Sequence, residues 1–354
     1  MSDVILVEEG RIRRWTAAMF EAVDVSPRDA ELVSDNLVTA DLRGVFSHGV
    51  LRVPTYVERI RAGLVAAGGR PSIVRESGAT ALVDGDNALG PVAAGLAMEV
   101  AIARARELGT STVGVRHSNH FGTCAHYAMM ASAQGLIGIC ATVSGTNIMA
   151  PWGGIDRMLG NNPLAVAVPA RRHPDVVLDI AMSVAARGKI LMEAKRDGTI
   201  PEGWALDGEG RPTTDPETAI AGSVLPMAGH KGYGLAFVVA LLAALLPGAA
   251  FGPEIAEPAE EWSRPGDVGH WMQVIDPSRL REQGTFEDAV DRAVDLMHAS
   301  RLAPLATEVL VPGELEARTL DRQRREGIPY PHQLIEELEA LGAGAGVAVP
   351  LAVP

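Results

Sequence analysis

Three polar islands, each set between apolar runs, hold the side chains of this chain that are able to do chemistry. The first is Asp41-Leu42-Arg43-Gly44-Val45-Phe46-Ser47-His48-Gly49, followed by Arg52, Tyr56 and Arg59. A helical path from about Gly49 would put His48, Arg52 and Tyr56 on one face at i, i+4 and i+8. Pro54 fits such a path only in the helix's first turn. A histidine one turn from an arginine can hold a carboxylate and exchange a proton with an oxygen on the neighbouring carbon. Read by itself, the island is also open to a hydrogen-bonded helix-start histidine with a surface arginine.

The second island lies between Val113 and Gly160. It contains Arg116-His117-Ser118-Asn119-His120-Phe121-Gly122, Ser144-Gly145-Thr146-Asn147 and Pro151-Trp152-Gly153-Gly154. Turn residues bounding apolar strands put polar side chains and free amides at strand ends, where sites are commonly built. The third, Pro226-Met227-Ala228-Gly229-His230-Lys231-Gly232-Tyr233-Gly234, opens an apolar helix over Leu235 to Leu246. Free amides and the positive end of that helix suit a phosphate or carboxylate. The alternative is a solvated helix start with a snorkelling lysine.

The elements that must position these islands follow from periodicity. Asp3 to Leu6 reads as a strand, and Arg11 to Ala40 as two helices, the second capped by Ser26-Pro27-Arg28-Asp29. Residues 60–80 read as a Gly- and Ala-rich connector. Strands are expected at Thr80–Asp84, Thr112–Arg116, Leu136–Val143, Leu164–Val168, Val176–Asp179, Gly269–Ile275 and Val309–Val311. Helices are expected at Pro91–Leu108, Ala125–Gln134, Ala185–Ala194, Thr285–His298, Glu314 to about Glu326 and Pro331–Leu341. Thr199 to Asp215 reads as a structured loop, Gly252 to Gly266 as an acidic exposed loop, and the tail from Gly342 as frayed.

Composition narrows the class. Aromatics are 4% against 47% hydrophobic residues, so the core must be aliphatic. A formal charge of −13 with no large Lys/Arg cluster argues against nucleic acid. Cys124 and Cys140 have no C-x-x-C partner and fit a reduced, cytoplasmic protein. The stretch Met1 to Arg14 lacks the apolar core of a signal peptide, and Leu235 to Leu246 is too short to span a bilayer. No membrane partner is expected. His117 and His120 lack a carboxylate to complete a metal site, so no metal is expected. Neither a G-x-G-x-x-G between strand and helix, nor a phosphate loop, nor a G-x-S-x-G elbow is present.

Taken in order, the islands resemble the malate/L-lactate dehydrogenase family that lacks a Rossmann fold. That family includes malate, sulfolactate and ureidoglycolate dehydrogenases, diketogulonate reductase and piperideine/pyrroline-2-carboxylate reductase. The resemblance is carried by Asp41 to Gly44, Ser47-His48-Gly49, Arg52 and Tyr56, then by Ser118 to Gly122, Ala150 to Gly154 and Asn162-Pro163. It continues through Asp179 to Ser183, Gly188-Lys189-Ile190, Pro201 to Asp207, His230 to Gly234 and Pro312-Gly313-Glu314. The fold implied is α+β, with a non-Rossmann mixed or antiparallel sheet domain for NAD or NADP over residues 76–284. A mainly helical substrate-side domain is implied over residues 1–75, with C-terminal helices at about 285–341 returning to it.

The activity implied is hydride transfer to or from C2 of a small 2-oxo or 2-hydroxy acid. The alternatives are reduction of the C=N bond of a cyclic 2-imino acid and a catalytically silent binding protein on the same scaffold. By the same resemblance His48 is the general acid/base with Ser47 orienting it, Arg52 clamps the substrate carboxylate, and His120 is the rival proton carrier. Cofactor contacts are implied for Ser144, Asp179, Ile180, Ala181, Met182, Ser183, His230, Lys231, Gly313 and Glu314. A homodimer is the implied assembly. Two departures stand out: asparagine in Gly160-Asn161-Asn162-Pro163 and methionine at Met182, each where the family commonly has threonine.

Overall fold

The computed structural model describes residues 4–256 and 261–351. Strand β1 (Val4–Val7) leads into helix α1 (Glu9–Glu21), where the Glu8 carboxylate accepts hydrogen bonds from the amides of Gly10 and Arg11. The Ser26 hydroxyl accepts from the Asp29 amide and starts α2 (Pro27–Leu42). Both caps satisfy amides that a helix's first turn leaves free. Trp15, Met19 and Phe20 of α1 bury against Val33 and Leu37 of α2, as their helical spacing predicts. Two 3-10 turns, Phe46–His48 and Val50–Arg52, replace the continuous helix expected there. Helix α3 (Val53–Arg61) then takes Pro54 in its first turn, where a proline ring costs nothing.

The connector expected at 60–80 contains a strand, β2 (Ser72–Ser77), paired with β3 (Thr80–Asp84). Helix α4 (Gly90–Leu108) crosses to β4 (Thr110–Ser118), and α5 (Cys124–Ser132) precedes β5 (Ile137–Thr142). Strands β6 (Leu164–Val168) and β7 (Val176–Ile180) form a hairpin. There follow α6 (Arg187–Ala194), the short strands β8 (Ala205–Leu206) and β9 (Pro212–Thr213), α7 (Pro216–Ala221) and β10 (Ser223–Val224). The loop expected at 199–215 is therefore a small hairpin. Helix α8 (His230–Ala240) continues as a π-helical turn over Leu241–Leu245, and β11 (Val268–Ile275) closes the sheet region.

The main sheet has seven strands in the order β2-β3-β4-β11-β5-β6-β7. Among these pairings only β3 with β4 is parallel, joined by the crossover of α4. A sheet so nearly antiparallel has none of the successive parallel crossovers of a doubly wound domain. Successive residues of β5 serve different clusters: Cys140 joins α4 and α5 on one face, Ala141 joins α8 on the other. The sheet is thus a central layer covered on both sides.

Helix α9 (Thr285–His298) is tied to the sheet region by ion pairs from Arg171 to Asp288 and Arg172 to Asp295. No strand forms at 309–311, where the chain turns into α10 (Glu314–Glu326). Strand β12 (Ile328–Pro331) pairs antiparallel with β1, opposing Tyr330 to Ile5, and α11 (His332–Gly344) follows. Ile328, Tyr330, Ile335 and Leu338 bury in the same cluster as α1 and α2. The tail expected to fray is packed down as far as Leu351, which is fully buried there and whose amide donates to Glu339; residues 352–354 of that tail lie outside the described residues. In the acidic segment 252–266, residues 257–260 lie outside the described residues, as does Asp3. Ile255 and Ala256 beside them are buried.

Candidate active site

The joint between α2 and α3 places three side chains at one corner. Ser47 Oγ lies 2.9 Å from His48 Nδ1, and Arg52 Nε donates to the Ser47 carbonyl at 2.7 Å. The second island arrives at the same corner from the end of β4. The His120 ring stacks on the His48 ring with centroids 5.5 Å apart, and the Tyr56 hydroxyl lies 2.5 Å from His120 Nδ1. Gly122, at φ 84°, lets this turn press on α2, since a Cβ there would sit 2.0 Å from Asn36 Oδ1. Each imidazole thus has one nitrogen held by a hydroxyl.

Electrostatics keep both rings neutral. His48 is pushed down to about 4, first by loss of water and then by the charge on Arg52. His120 is held well below the ordinary histidine value by burial, with Arg52 and His48 adding to the effect. Burial raises the Tyr56 phenol, which therefore keeps its proton.

Ser47 and His48 open onto a cavity of about 420 Å³. Val45, Pro163, Val177 and Leu310 give it apolar walls, and Arg43, Thr123, Asn161, Asp179 and Glu316 give it polar ones. The Ala125 amide at the start of α5 donates to Asp179 at 2.9 Å. Burial nevertheless raises that carboxyl to about 6, against the opposing pull of this bond and of Arg43.

Among the residues singled out in the sequence, Ser47, His48, Arg52 and His120 converge, and Asp179, Ala181 and Gly313 line the cavity. The remainder lie apart from its lining. Ile180 pairs with Leu164 in the sheet. Met182 is fully buried in the cluster under α8, and its amide donates to the Asn161 carbonyl. Ser183 is buried with its hydroxyl unbonded among the described residues. Ser144 accepts from the Thr146 amide, and its own amide donates to Asn162. His230 and Lys231 are exposed at the start of α8, with the His230 ring 5.9 Å from that of Trp152. Glu314 turns inward to accept from the Val311 amide and faces His298 at 2.9 Å.

Sequence reasoning gave no site role to Arg43 or Glu316 in the cavity wall, although Arg43 stands inside the first island. It also passed over His270 in the centre of the sheet, whose ring stacks on Phe121 at 4.4 Å. Nothing local marks a single histidine in an apolar strand.

Two neutral imidazoles beside a guanidinium, on a mixed sheet with no dinucleotide fingerprint, agree with what the resemblance to a non-Rossmann dehydrogenase family implies. The sequence model of the family described as malate/L-lactate dehydrogenase matches residues 7–339. L-Sulfolactate dehydrogenase of Methanothermobacter thermautotrophicus is 41% identical over 320 residues, covering 90% of each chain. The NADP(+)-dependent (2R)-3-sulfolactate dehydrogenase of Chromohalobacter salexigens is 36% identical, over 96% of this chain and 98% of its own. The solved sulfolactate dehydrogenase of Methanocaldococcus jannaschii matches with a TM-score of 0.91 at 34% identity, covering 98% of both chains. The chain belongs to the malate/L-lactate dehydrogenase family. It is an oxidoreductase.

Proposed function

We propose that His48 carries the proton and Arg52 clamps the substrate carboxylate in hydride transfer at C2 of a small 2-hydroxy or 2-oxo acid. The chain is an NAD(P)-dependent oxidoreductase of such acids. The observation that carries the residue roles is the stacked His48–His120 pair beside Arg52, with His48 on the cavity wall.

The cavity lining fits a nicotinamide nucleotide: apolar walls suit the flat ring, and Thr123, Asn161 and Asp179 offer partners to a carboxamide and ribose hydroxyls. When bound, NAD or NADP supplies the carbon that takes or gives the C2 hydride. The protein's part is position and protons. Arg52, anchored through Nε, keeps its terminal nitrogens for a bidentate grip on the acid. His48, anchored through Nδ1, presents Nε2 to the oxygen on C2. In oxidation neutral His48 takes the hydroxyl proton, and in reduction its protonated form returns one. A carboxylate on Arg52 offsets the charge that helps depress His48, so substrate binding itself raises the affinity of His48 for its proton. Tyr56 holds the His120 ring, which we place second to His48 as proton carrier.

We assign residues 1–75, with the C-terminal helices at about 285–341, to a substrate-side unit and residues 76–284 to the cofactor-binding unit; the burial of α1, α2, β12 and α11 in one cluster, apart from those of the sheet, supports that division. We also read the assembly as a cytoplasmic homodimer. The exposed Leu235, Val238, Leu245 and Leu246 on one helix support a second copy, and the unpaired buried Cys124 and Cys140 suit a reducing compartment.

The test follows the NADH absorbance band with NADH or NADPH and a panel of 2-oxo acids that includes dicarboxylates, 3-sulfonates and ring-closed imino acids. Fast oxidation with a 2-oxo acid is the expected result. Turnover confined to the imino acids would move the reaction to C=N, and no turnover with any of them would sink the proposal.

A further inference from the structure

Asp41, near the end of α2, is 1% exposed in surroundings that are otherwise largely apolar. Its Oδ2 accepts two hydrogen bonds, from the Val50 amide at 2.9 Å and from the Tyr330 hydroxyl at 2.7 Å. Its Oδ1 is buried with no hydrogen-bond partner among the described residues. A carboxyl oxygen left dry costs free energy, and such local violations concentrate where function demands them.

Its neighbours say what is gained. Gly49 is the joint between the 3-10 turn that carries Ser47 and His48 and the turn that ends at Arg52. A Cβ on Gly49 would lie 1.7 Å from Asp41 Oδ1, so the backbone at this joint rests directly on the carboxyl. The Val50 amide just after the joint is bonded to the other oxygen. From the opposite side β12 brings Tyr330 to that same oxygen, and its ring lies edge-on to Phe46 at 6.2 Å. One carboxyl therefore fixes the joint against α2 and against the C-terminal strand together. The angle of the joint sets how far His48 stands from Arg52.

We propose that Asp41 is a positioning residue, whose carboxyl holds the proton carrier His48 and the carboxylate clamp Arg52 at their working separation. This rests on the roles given to those two residues above. Asp41 lies outside the cavity lining and acts through the backbone at Gly49 and Val50. Displacing a reacting group by about 1 Å is enough to cost about 10²-fold in rate.

The experiment compares wild type, Asp41→Ala, Tyr330→Phe and the double variant at a temperature where each is folded. Asp41→Ala removes the oxygen that holds both donors and is expected to lower kcat/KM for the 2-oxo acid by about 10²-fold, through both a lower kcat and a higher KM for the acid. Quenching of tryptophan fluorescence by NADH should stay unchanged. Tyr330→Phe removes one of the two donors and should lower kcat/KM roughly tenfold. The double variant should be no worse than Asp41→Ala, which has already lost the oxygen that Tyr330 bonds. Unchanged turnover in both single variants, or losses that add and follow the fall in thermal midpoint, would overturn the proposal. If Asp41→Ala does not fold, Tyr330→Phe decides alone: full activity there overturns it. A wild type that turns over no 2-oxo acid defeats the site reading instead. The His48 ring titration, followed by NMR, then judges Asp41: a curve displaced in Tyr330→Phe sustains its role, and an unmoved one ends it.

Discussion

His270 and His48 are both kept neutral by loss of water, His270 at about 3 and His48 at about 4, yet they stand in opposite situations. The His270 ring is fully buried between strands, with Nδ1 at 2.7 Å from Thr142 Oγ1 and Nε2 at 2.8 Å from Ser118 Oγ. Both nitrogens are occupied, so the ring stitches β4, β11 and β5 together and has no nitrogen to offer. His48 is half-buried and held at Nδ1 alone, beside an arginine and a cavity. A depressed histidine is therefore not a catalytic one by that fact; what distinguishes the two is an unoccupied nitrogen facing space where a ligand fits.

The comparison breaks first at His48. Replacing it by alanine should cut turnover by about 10²–10⁴-fold, the usual scale for an acid/base, while NADH titration shows binding intact. Near-normal turnover there, with collapse in His120→Ala, would pass the role to His120. Arg52→Ala comes next. The KM for the acid should rise by roughly 10–100-fold, as for the loss of a charged hydrogen-bonded pair. The His48 titration should move upward at the same time, because a positive neighbour has gone. An unchanged KM would remove Arg52 from the clamp role.

The pH dependence sharpens the contrast. On the role proposed for His48 oxidation uses its neutral ring, so kcat/KM for the hydroxy acid should climb as pH rises through about 4 and then level off. Reduction uses the protonated ring and should fall about tenfold per pH unit above that value. Parallel profiles in the two directions would exclude His48 as the group that titrates.

The smallest effect on catalysis is expected at His270. His270→Ala strands the Ser118 and Thr142 hydroxyls and opens a cavity, costing roughly 2–4 kcal/mol of stability. The folded variant should turn over at close to the wild-type rate. In the wild type this ring, ordinarily near 6.5 and lowered to about 3, binds a proton more readily unfolded than folded. Stability must then fall as pH drops below about 6.5, and chemical denaturation across that window should show a shallower decline in the variant. A large loss of kcat in folded His270→Ala would place the residue in the catalytic machinery.

The sequence made the corner of Ser47, His48 and Arg52 legible because those residues lie within one or two turns of each other. His120 was legible through its Asn-His-Phe-Gly surroundings between a strand and a helix. The expectation of a sheet other than the doubly wound kind came from the resemblance of the islands taken in order, and the nearly antiparallel strand order agrees with it. What escaped notice depends on distant partners. Asp41 and Tyr330 meet across 289 positions, and no local periodicity encodes that contact. His270 acquires meaning only once the sheet register sets it beside Thr142 and Ser118. Strand β2 is exposed along its whole length at the sheet edge, so it carries none of the alternation that would announce it. Leu351 sits in a run of Ala, Gly, Val and Pro that reads as a loose tail, and tertiary burial overrides that reading.

The Tyr330 bond to Asp41 also bears on when the enzyme becomes competent. At about 5–20 residues per second, roughly 15–60 s of synthesis separate the two partners across their 289 positions. Until Tyr330 emerges and β12 pairs with β1, the joint at Gly49 has its anchor on α2 but not the one from the C-terminal strand. On the roles proposed for Asp41, His48 and Arg52, a nascent chain can complete its sheet and its cavity walls up to β11 while the proton carrier and the carboxylate clamp still lack their final spacing. Activity would then be a late checkpoint on the chain, passed when the C-terminal strand closes on the first.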